Sequence, residues 1–209
     1  MRVLLIGCRG SIGKRYAAIF KYLGIEFTGA DLGIEYECSP ALYSVFDKVL
    51  IATPTETHTD IAIKCMQAGC DVLIEKPVST SLADIDLLQA SAKVYKVDAR
   101  MVCNWSYLVG MGKPGKNHIM YKNFHTGNDG LYWDCIQPIY LSDTIQIITD
   151  TPVFRCLVNG ADITLLEMEC SYINMIEDWI HHPERLWDLT DAFKATRKVK
   201  DEFVGGHSK

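Results

Sequence analysis

Hydrophobic residues in this chain gather into short, nearly unbroken runs, and the stretches between them carry apolar positions at helical spacing. Val49 to Val78 shows this most clearly: two runs rich in valine, leucine and isoleucine flank a segment in which Ala62, Cys65 and Met66 recur at helical intervals. The expected order is strand, helix, strand, a βαβ unit. Arg2 to Ile6 predicts a further strand, followed by a glycine-rich turn and a helix-forming stretch through Leu23 that Gly24 closes. Glu26 to Ala30 predicts the next strand, Thr80 to Val94 another helix and Ala99 to Trp105 another strand. The implied fold class is α/β, a doubly wound parallel sheet covered on both faces. Ligands bind beyond the carboxyl ends of such strands, and Thr53-Pro54 and Glu75-Lys76-Pro77 both fall there.

The turn after the first strand reads Gly7-Cys8-Arg9-Gly10-Ser11-Ile12-Gly13. Glycines suit a tight turn, a close approach of backbone to pyrophosphate and a helix start packed on the strand. Phosphates then sit on the exposed amides and the positive end of the helix dipole. The spacing is G-x-x-G-x-x-G, one residue longer between the first two glycines than the usual dinucleotide fingerprint, so a plain tight turn is the competing reading. Asp31 supplies context. It follows the second strand at the place where a carboxylate holds the adenosine ribose hydroxyls, and it repels a 2′-phosphate, which favours NAD over NADP.

The 209 residues suffice for one domain or two small ones, and 48% hydrophobic with 22% charged residues is ordinary for a globular protein. A formal charge of −5 without long basic runs argues against nucleic acid or an anionic membrane as partner and towards a small molecule. No apolar run approaches the roughly 20 residues of a membrane span, and Met1 to Ile6 is too short for a signal-peptide core, so a cytoplasmic location is expected. Eight cysteines lie scattered in apolar segments without a C-x-x-C pair, which predicts reduced core thiols and no metal.

Taken together, the glycine turn followed by Lys14-Arg15, Asp31, the segment Ala52-Thr53-Pro54-Thr55-Glu56-Thr57-His58 and Glu75-Lys76-Pro77 resemble the glucose-fructose oxidoreductase/inositol dehydrogenase (Gfo/Idh/MocA) family over about the first 105 residues. The resemblance implies a Rossmann domain, a nicotinamide cofactor and a sugar, polyol or nucleotide-sugar substrate. It places Gly7, Arg9, Gly10, Ser11, Ile12, Gly13, Asp31, Thr53, Pro54, His58, Glu75, Lys76 and Pro77 around the cofactor. It gives Lys76 a catalytic or substrate-positioning role and makes Pro77 a candidate cis proline, a state that only X-Pro bonds reach cheaply. Chemistry supports the lysine independently, because hydride transfer from an alcohol also requires a proton to leave, and a nearby cation favours the developing alkoxide. His58 is open between a place near the nicotinamide ribose and a local partner for backbone in the first helical turn.

Beyond Tyr107 the resemblance thins. The expected division is a dinucleotide-binding domain over 1–118 and a reduced α+β substrate or oligomerisation domain over 119–209. Gly130 to Ser142 looks like the family helix that begins the second domain, with Asp134 at its aspartate and Gln137 where the family carries a histidine; both are candidate catalytic positions. Glutamine exchanges no proton near neutral pH. If the family histidine acts as acid or base, its loss removes roughly 10²- to 10⁴-fold of rate. Lys76, Tyr140 or His125 could compensate. Thr151 to Glu167 offers two or three strands around Asn159-Gly160, and Ser171 to Phe203 resembles the closing helices. A small second sheet leaves homo-oligomerisation open. Gly110 to Asn117 nearly spells a P-loop but lacks the final hydroxyl and reads as a linker, and His181-His182-Pro183 reads as a helix end. The expected function is an NAD(P)-dependent dehydrogenase; the alternative is a dinucleotide-binding member of the same family that has lost catalysis.

Overall fold

The structure, a computed structural model, describes residues 1–31, 40–104, 106–107, 119–127, 130–139, 145–148, 155–158, 161–162 and 164–206. Its first elements are β1 (Val3–Ile6), α1 (Ser11–Tyr22), β2 (Phe27–Ala30), α2 (Pro40–Tyr43), β3 (Lys48–Ile51), α3 (Thr55–Gln67), β4 (Asp71–Ile74), α4 (Leu82–Tyr95) and β5 (Ala99–Met101). There follow β6 (Ile119–Gly127), β7 (Gly130–Ile139), β8 (Ile145–Ile148), β9 (Arg155–Val158), β10 (Ala161–Asp162), α5 (Thr164–His181), β11 (Trp187–Asp188) and α6 (Leu189–Gly206). The chain forms two compact units, Met1–Val102 with Trp187–Lys198, and Cys103–Leu186 with Val199–Lys209.

The first unit is built on a sheet in the order β11-β5-β4-β3-β1-β2. The five strands β1 to β5 run parallel, and only β11 is antiparallel, pairing Trp187 with Met101. Every residue of β1, and Val49 to Ile51 and Val72 to Ile74, is buried, as unbroken apolar strands require when both faces are covered. Strand order reverses at β1. Right-handed crossovers therefore set α1 on one face and α3 and α4 on the other, the doubly wound Rossmann arrangement read from the sequence. Lys48 and Asp71, 3.5 Å apart, join β3 to β4 at the amino end of the sheet, away from the strand ends where ligands bind.

Cys70 precedes β4 and is fully buried, its thiol donating to the carbonyls of Tyr43 and Phe46 at 3.2 and 3.3 Å. Burial, with Asp47 and Asp71 nearby, pushes this thiol up to about 11 from the ordinary 9.0. A raised folded-state value means stability is complete below pH 9.0 and is lost as pH rises through about 11. Urea denaturation of Cys70→Ala at pH 8 and pH 10.5 should show a smaller alkaline loss than the wild type; an equal loss would assign the alkaline sensitivity to other groups.

In the second unit β6 and β7 form an antiparallel pair, and β8, β9 and β10 a small antiparallel sheet. This corrects the expectation for Gly130 to Ser142. Gly130–Ile139 is a strand, not a helix, with Asp134 opposite Asn123 and Gln137 opposite Tyr121. The physical reason is local: Tyr132, Trp133, Ile136 and Ile139 favour strand, and Pro138 breaks a helix. Arg155–Val158 and Ala161–Asp162 pair on either side of Asn159-Gly160, whereas Thr164 already begins α5. The inner face of α5 buries Tyr172, Met175, Ile176 and Trp179. Tyr107 donates to Asp178 at 2.9 Å, and burial together with that carboxylate raises its hydroxyl far above the usual tyrosine range. Tyr140 and residues 110–117 lie outside the described residues.

Candidate functional site

Parallel register aligns the carboxyl ends of four strands. Ile6 is level with Ala30 and Ile51, and Ile51 with Ile74, so Gly7, Asp31, Ala52 and Glu75 leave the sheet along one edge. The switch in strand order lies within this row, between β1 and β3, where an open α/β sheet offers its ligand crevice.

The glycine turn fills the first position. Gly7 has φ +88°, and a Cβ there would stand 2.3 Å from the Ala52 carbonyl oxygen. A Cβ on Gly13 would stand 2.0 Å from the Gly7 carbonyl oxygen. These two glycines are demanded by packing of the turn on itself and on β3. Gly10 differs: its nearest contact would be an ordinary 3.4 Å, and it is exposed as the N-cap of α1 with no side chain capping the helix. The first-turn amides of Ser11, Ile12 and Gly13 have no carbonyl inside the helix to bind. An exposed, uncapped helix start beside a glycine fits a pyrophosphate. Arg9 is exposed, and its amide donates to Asp31 Oδ2 at 2.7 Å, which fixes the carboxylate beside the turn. These residues fit a dinucleotide.

The other loops close the row. Thr57 Oγ1 donates within reach of both Thr53 Oγ1 at 2.8 Å and the Pro54 carbonyl at 2.7 Å, shaping the start of α3. His58 is buried, with Nε2 2.8 Å from the Thr53 carbonyl and Nδ1 3.0 Å from the Pro77 carbonyl. It therefore links the loop after β3 to the loop after β4, the local backbone role that the sequence left open. A neutral imidazole donates to one of these carbonyls, an imidazolium to both. Lys76-Pro77 is cis, in line with the sequence expectation. Lys76 is half-buried and its amide donates to Glu75 Oε2 at 2.9 Å. Glu75 is buried, and its Oε1 accepts a short hydrogen bond from Tyr16 of α1.

Of the residues read from sequence, all those from Gly7 to Pro77 come to this one edge of the first unit, while Asp134 and Gln137 lie on β7 of the second. Sequence reasoning missed Tyr16. The available signal was its place on the apolar stripe of α1 with Gly13, Ile19 and Phe20, which reads as core without disclosing a partner 59 positions away. Among the described residues no group of three or more histidine, cysteine or acidic side chains is arranged to hold a metal, and no helix is long and apolar enough to cross a membrane.

Residues 25–101 match the Gfo/Idh/MocA family model, described as an oxidoreductase family with NAD-binding Rossmann fold. Over those residues the chain is similar to that family. Its relatives include UDP-N-acetylglucosamine 3-dehydrogenase of Acidithiobacillus ferrooxidans, 35% identical over 106 residues, which cover 44% of this chain and 34% of that enzyme. Myo-inositol 2-dehydrogenase of Thermotoga maritima is 40% identical over 47 residues, 22% of this chain and 14% of that enzyme. The matched part thus spans about a third or less of these relatives' own lengths. Among solved structures, the WlbA (WbpB) dehydrogenase of Thermus thermophilus in complex with NAD and UDP-GlcNAcA aligns over 94% of this chain and 92% of that one, with TM-score 0.61 and 13% identity. Biliverdin reductase from Synechocystis, in complex with biliverdin and NADP+, aligns over 94% and 96%, with TM-score 0.56 and 14% identity. At such identities these neighbours speak for the fold alone.

Proposed function

We propose that this protein is an NAD-dependent dehydrogenase that moves a hydride to or from a carbinol carbon of a sugar, polyol or nucleotide-linked sugar. The observation that carries this is the single row of strand ends on which the glycine turn, Asp31, Thr53 and Lys76 stand together. The amides of Ser11, Ile12 and Gly13 would hold the pyrophosphate, with Gly10 allowing close approach, and Asp31 would hold the adenosine ribose hydroxyls. Thr53, Pro54 and His58 would shape the floor near the nicotinamide ribose. Bound NAD supplies the acceptor or donor of the hydride. Lys76 handles the accompanying proton: its neutral amine takes the hydroxyl proton during oxidation, and its ammonium returns one to the forming alkoxide during reduction.

Substrate class is argued from the relatives, whose names specify UDP-N-acetylglucosamine and myo-inositol. Asp134 and Gln137 are proposed to contribute to the substrate site. A second reading, a protein that binds the dinucleotide without turning over, rests on the sequence resemblance that sets Gln137 against a family histidine, because a glutamine side chain exchanges no proton near neutral pH.

Fluorescence titration with NADH and, separately, NADPH, followed through the four tryptophans, tests the cofactor reading. NADH should bind more tightly than NADPH. Asp31→Ala should weaken NADH by about tenfold or more, since a charged acceptor to two hydroxyls is lost, and should narrow the preference over NADPH. Failure of the wild-type protein to bind either nucleotide would remove the oxidoreductase reading.

A further inference from the structure

Helix α1 and the loop after β4 meet at a buried carboxylate. Glu75 is 6% exposed, and its two oxygens serve different parts of the chain: Oε1 accepts from the Tyr16 hydroxyl and Oε2 from the Lys76 amide at 2.9 Å. On the other side of the same loop the Pro77 carbonyl lies 3.0 Å from His58 Nδ1. Lys76-Pro77 is thereby held from α1 on one side and from α3 on the other.

We propose that Tyr16 is a positioning residue for Lys76, acting through Glu75 to fix the lysine backbone at the end of β4. A carboxylate out of water is tolerated when its oxygens are met by donors, and hydrogen bonds to a charged acceptor are the short, strong ones. Tyr16 is fully buried among Gly13, Ile19 and Phe20, where a phenyl ring would fill the same space. What its hydroxyl adds is the donor to Glu75. Remove it, and the carboxylate is free to turn and seek another donor, and the Lys76 amide loses a fixed acceptor. Tyr16 also stands three residues beyond Gly13 on α1, so two successive hydrogen bonds connect the glycine turn to Lys76. Small misplacements of a reacting group far exceed their size in rate, up to about 10²-fold for roughly 1 Å.

The catalytic side of this inference rests on the role given above to Lys76; the positional side is read without turnover. Tyr16→Phe and Glu75→Gln are compared with the wild-type full chain by hydrogen exchange at the Lys76 amide, with Leu5 and Leu73 as core references, and by NADH titration. In Tyr16→Phe the Lys76 amide should exchange about tenfold faster or more, with Leu5 and Leu73 unchanged and NADH affinity within about threefold. Glu75→Gln, which offers one acceptor oxygen in place of two, should also accelerate Lys76. With a substrate that turns over, Tyr16→Phe should lower kcat while KM stays near its wild-type value. A Lys76 amide exchanging at the wild-type rate in both variants overturns the proposal. So does equal acceleration at Leu5, Leu73 and Lys76, which would mark a loss of global stability alone. Failure of the wild type to bind NADH counts against the cofactor reading, and the exchange comparison still decides the position of Lys76.

Discussion

Lys76→Ala is expected to lower turnover of a nucleotide-sugar or polyol substrate by about 10²- to 10⁴-fold while leaving NADH affinity nearly unchanged. The split follows from geometry. The proposed pyrophosphate and ribose contacts come from the glycine turn and Asp31, which follow β1 and β2, whereas Lys76 follows β4 in the same row. Removing its amine leaves the hydrogen bond from the Lys76 backbone N–H to Glu75 Oε2 in place, because the donor is backbone. Steady-state kinetics with UDP-N-acetylglucosamine and myo-inositol, alongside NADH titration, measures both quantities. An unchanged kcat would remove Lys76 from the mechanism. Lys76→Arg separates charge from proton exchange: arginine keeps the cation but cannot deprotonate in a protein, so it should restore little rate if the lysine moves a proton.

Wild-type protein that binds NADH yet turns over none of these substrates would favour the second reading, a dinucleotide-binding protein without turnover. Gln137→His is then the informative change. Gln137 lies on β7, opposite Tyr121 of β6.

The first unit was legible because each of its signals is local. Unbroken runs such as Val49 to Ile51 specify buried parallel strands, Gly7 and Gly13 mark a turn that tolerates no Cβ, and Pro77 flags a backbone state open to few residues. Asp31 was found by its distance from the turn, and the structure adds that the Arg9 amide holds it there. The second unit was read partly through resemblance, and there Gly130–Ile139 misled. Helical spacing of Asp134 and Gln137 was inferred by analogy with a family helix, while the aromatic and β-branched residues around them, with Pro138, favoured the strand. The Tyr16–Glu75 bond was invisible for another reason: contact between positions so far apart depends on how α1 crosses the sheet, which no local pattern encodes.

Gly13→Ala should cost the fold about 3 kcal/mol or more, the upper range of overpacking, and with it NADH binding. Its Cβ would meet the Gly7 carbonyl oxygen at 2.0 Å, the Gly7 carbonyl carbon at 2.8 Å and Cys8 Cα at 2.9 Å, all backbone atoms that cannot swing aside as a side chain would. Gly10→Ala offers the contrast. Its nearest contact would be 3.4 Å, so thermal stability should change little, yet it stands at the exposed start of α1, where a methyl group would intrude on a pyrophosphate. Weakening of NADH by about tenfold or more in Gly10→Ala, at an unchanged Tm, would locate the dinucleotide on this helix start. If Gly10→Ala instead bound NADH like the wild type, the lengthened spacing between Gly7 and Gly10 would be a feature of the turn alone. The pyrophosphate would then have to be held by amides further along α1, and Gly13, needed to bring that helix against β1, would remain essential either way.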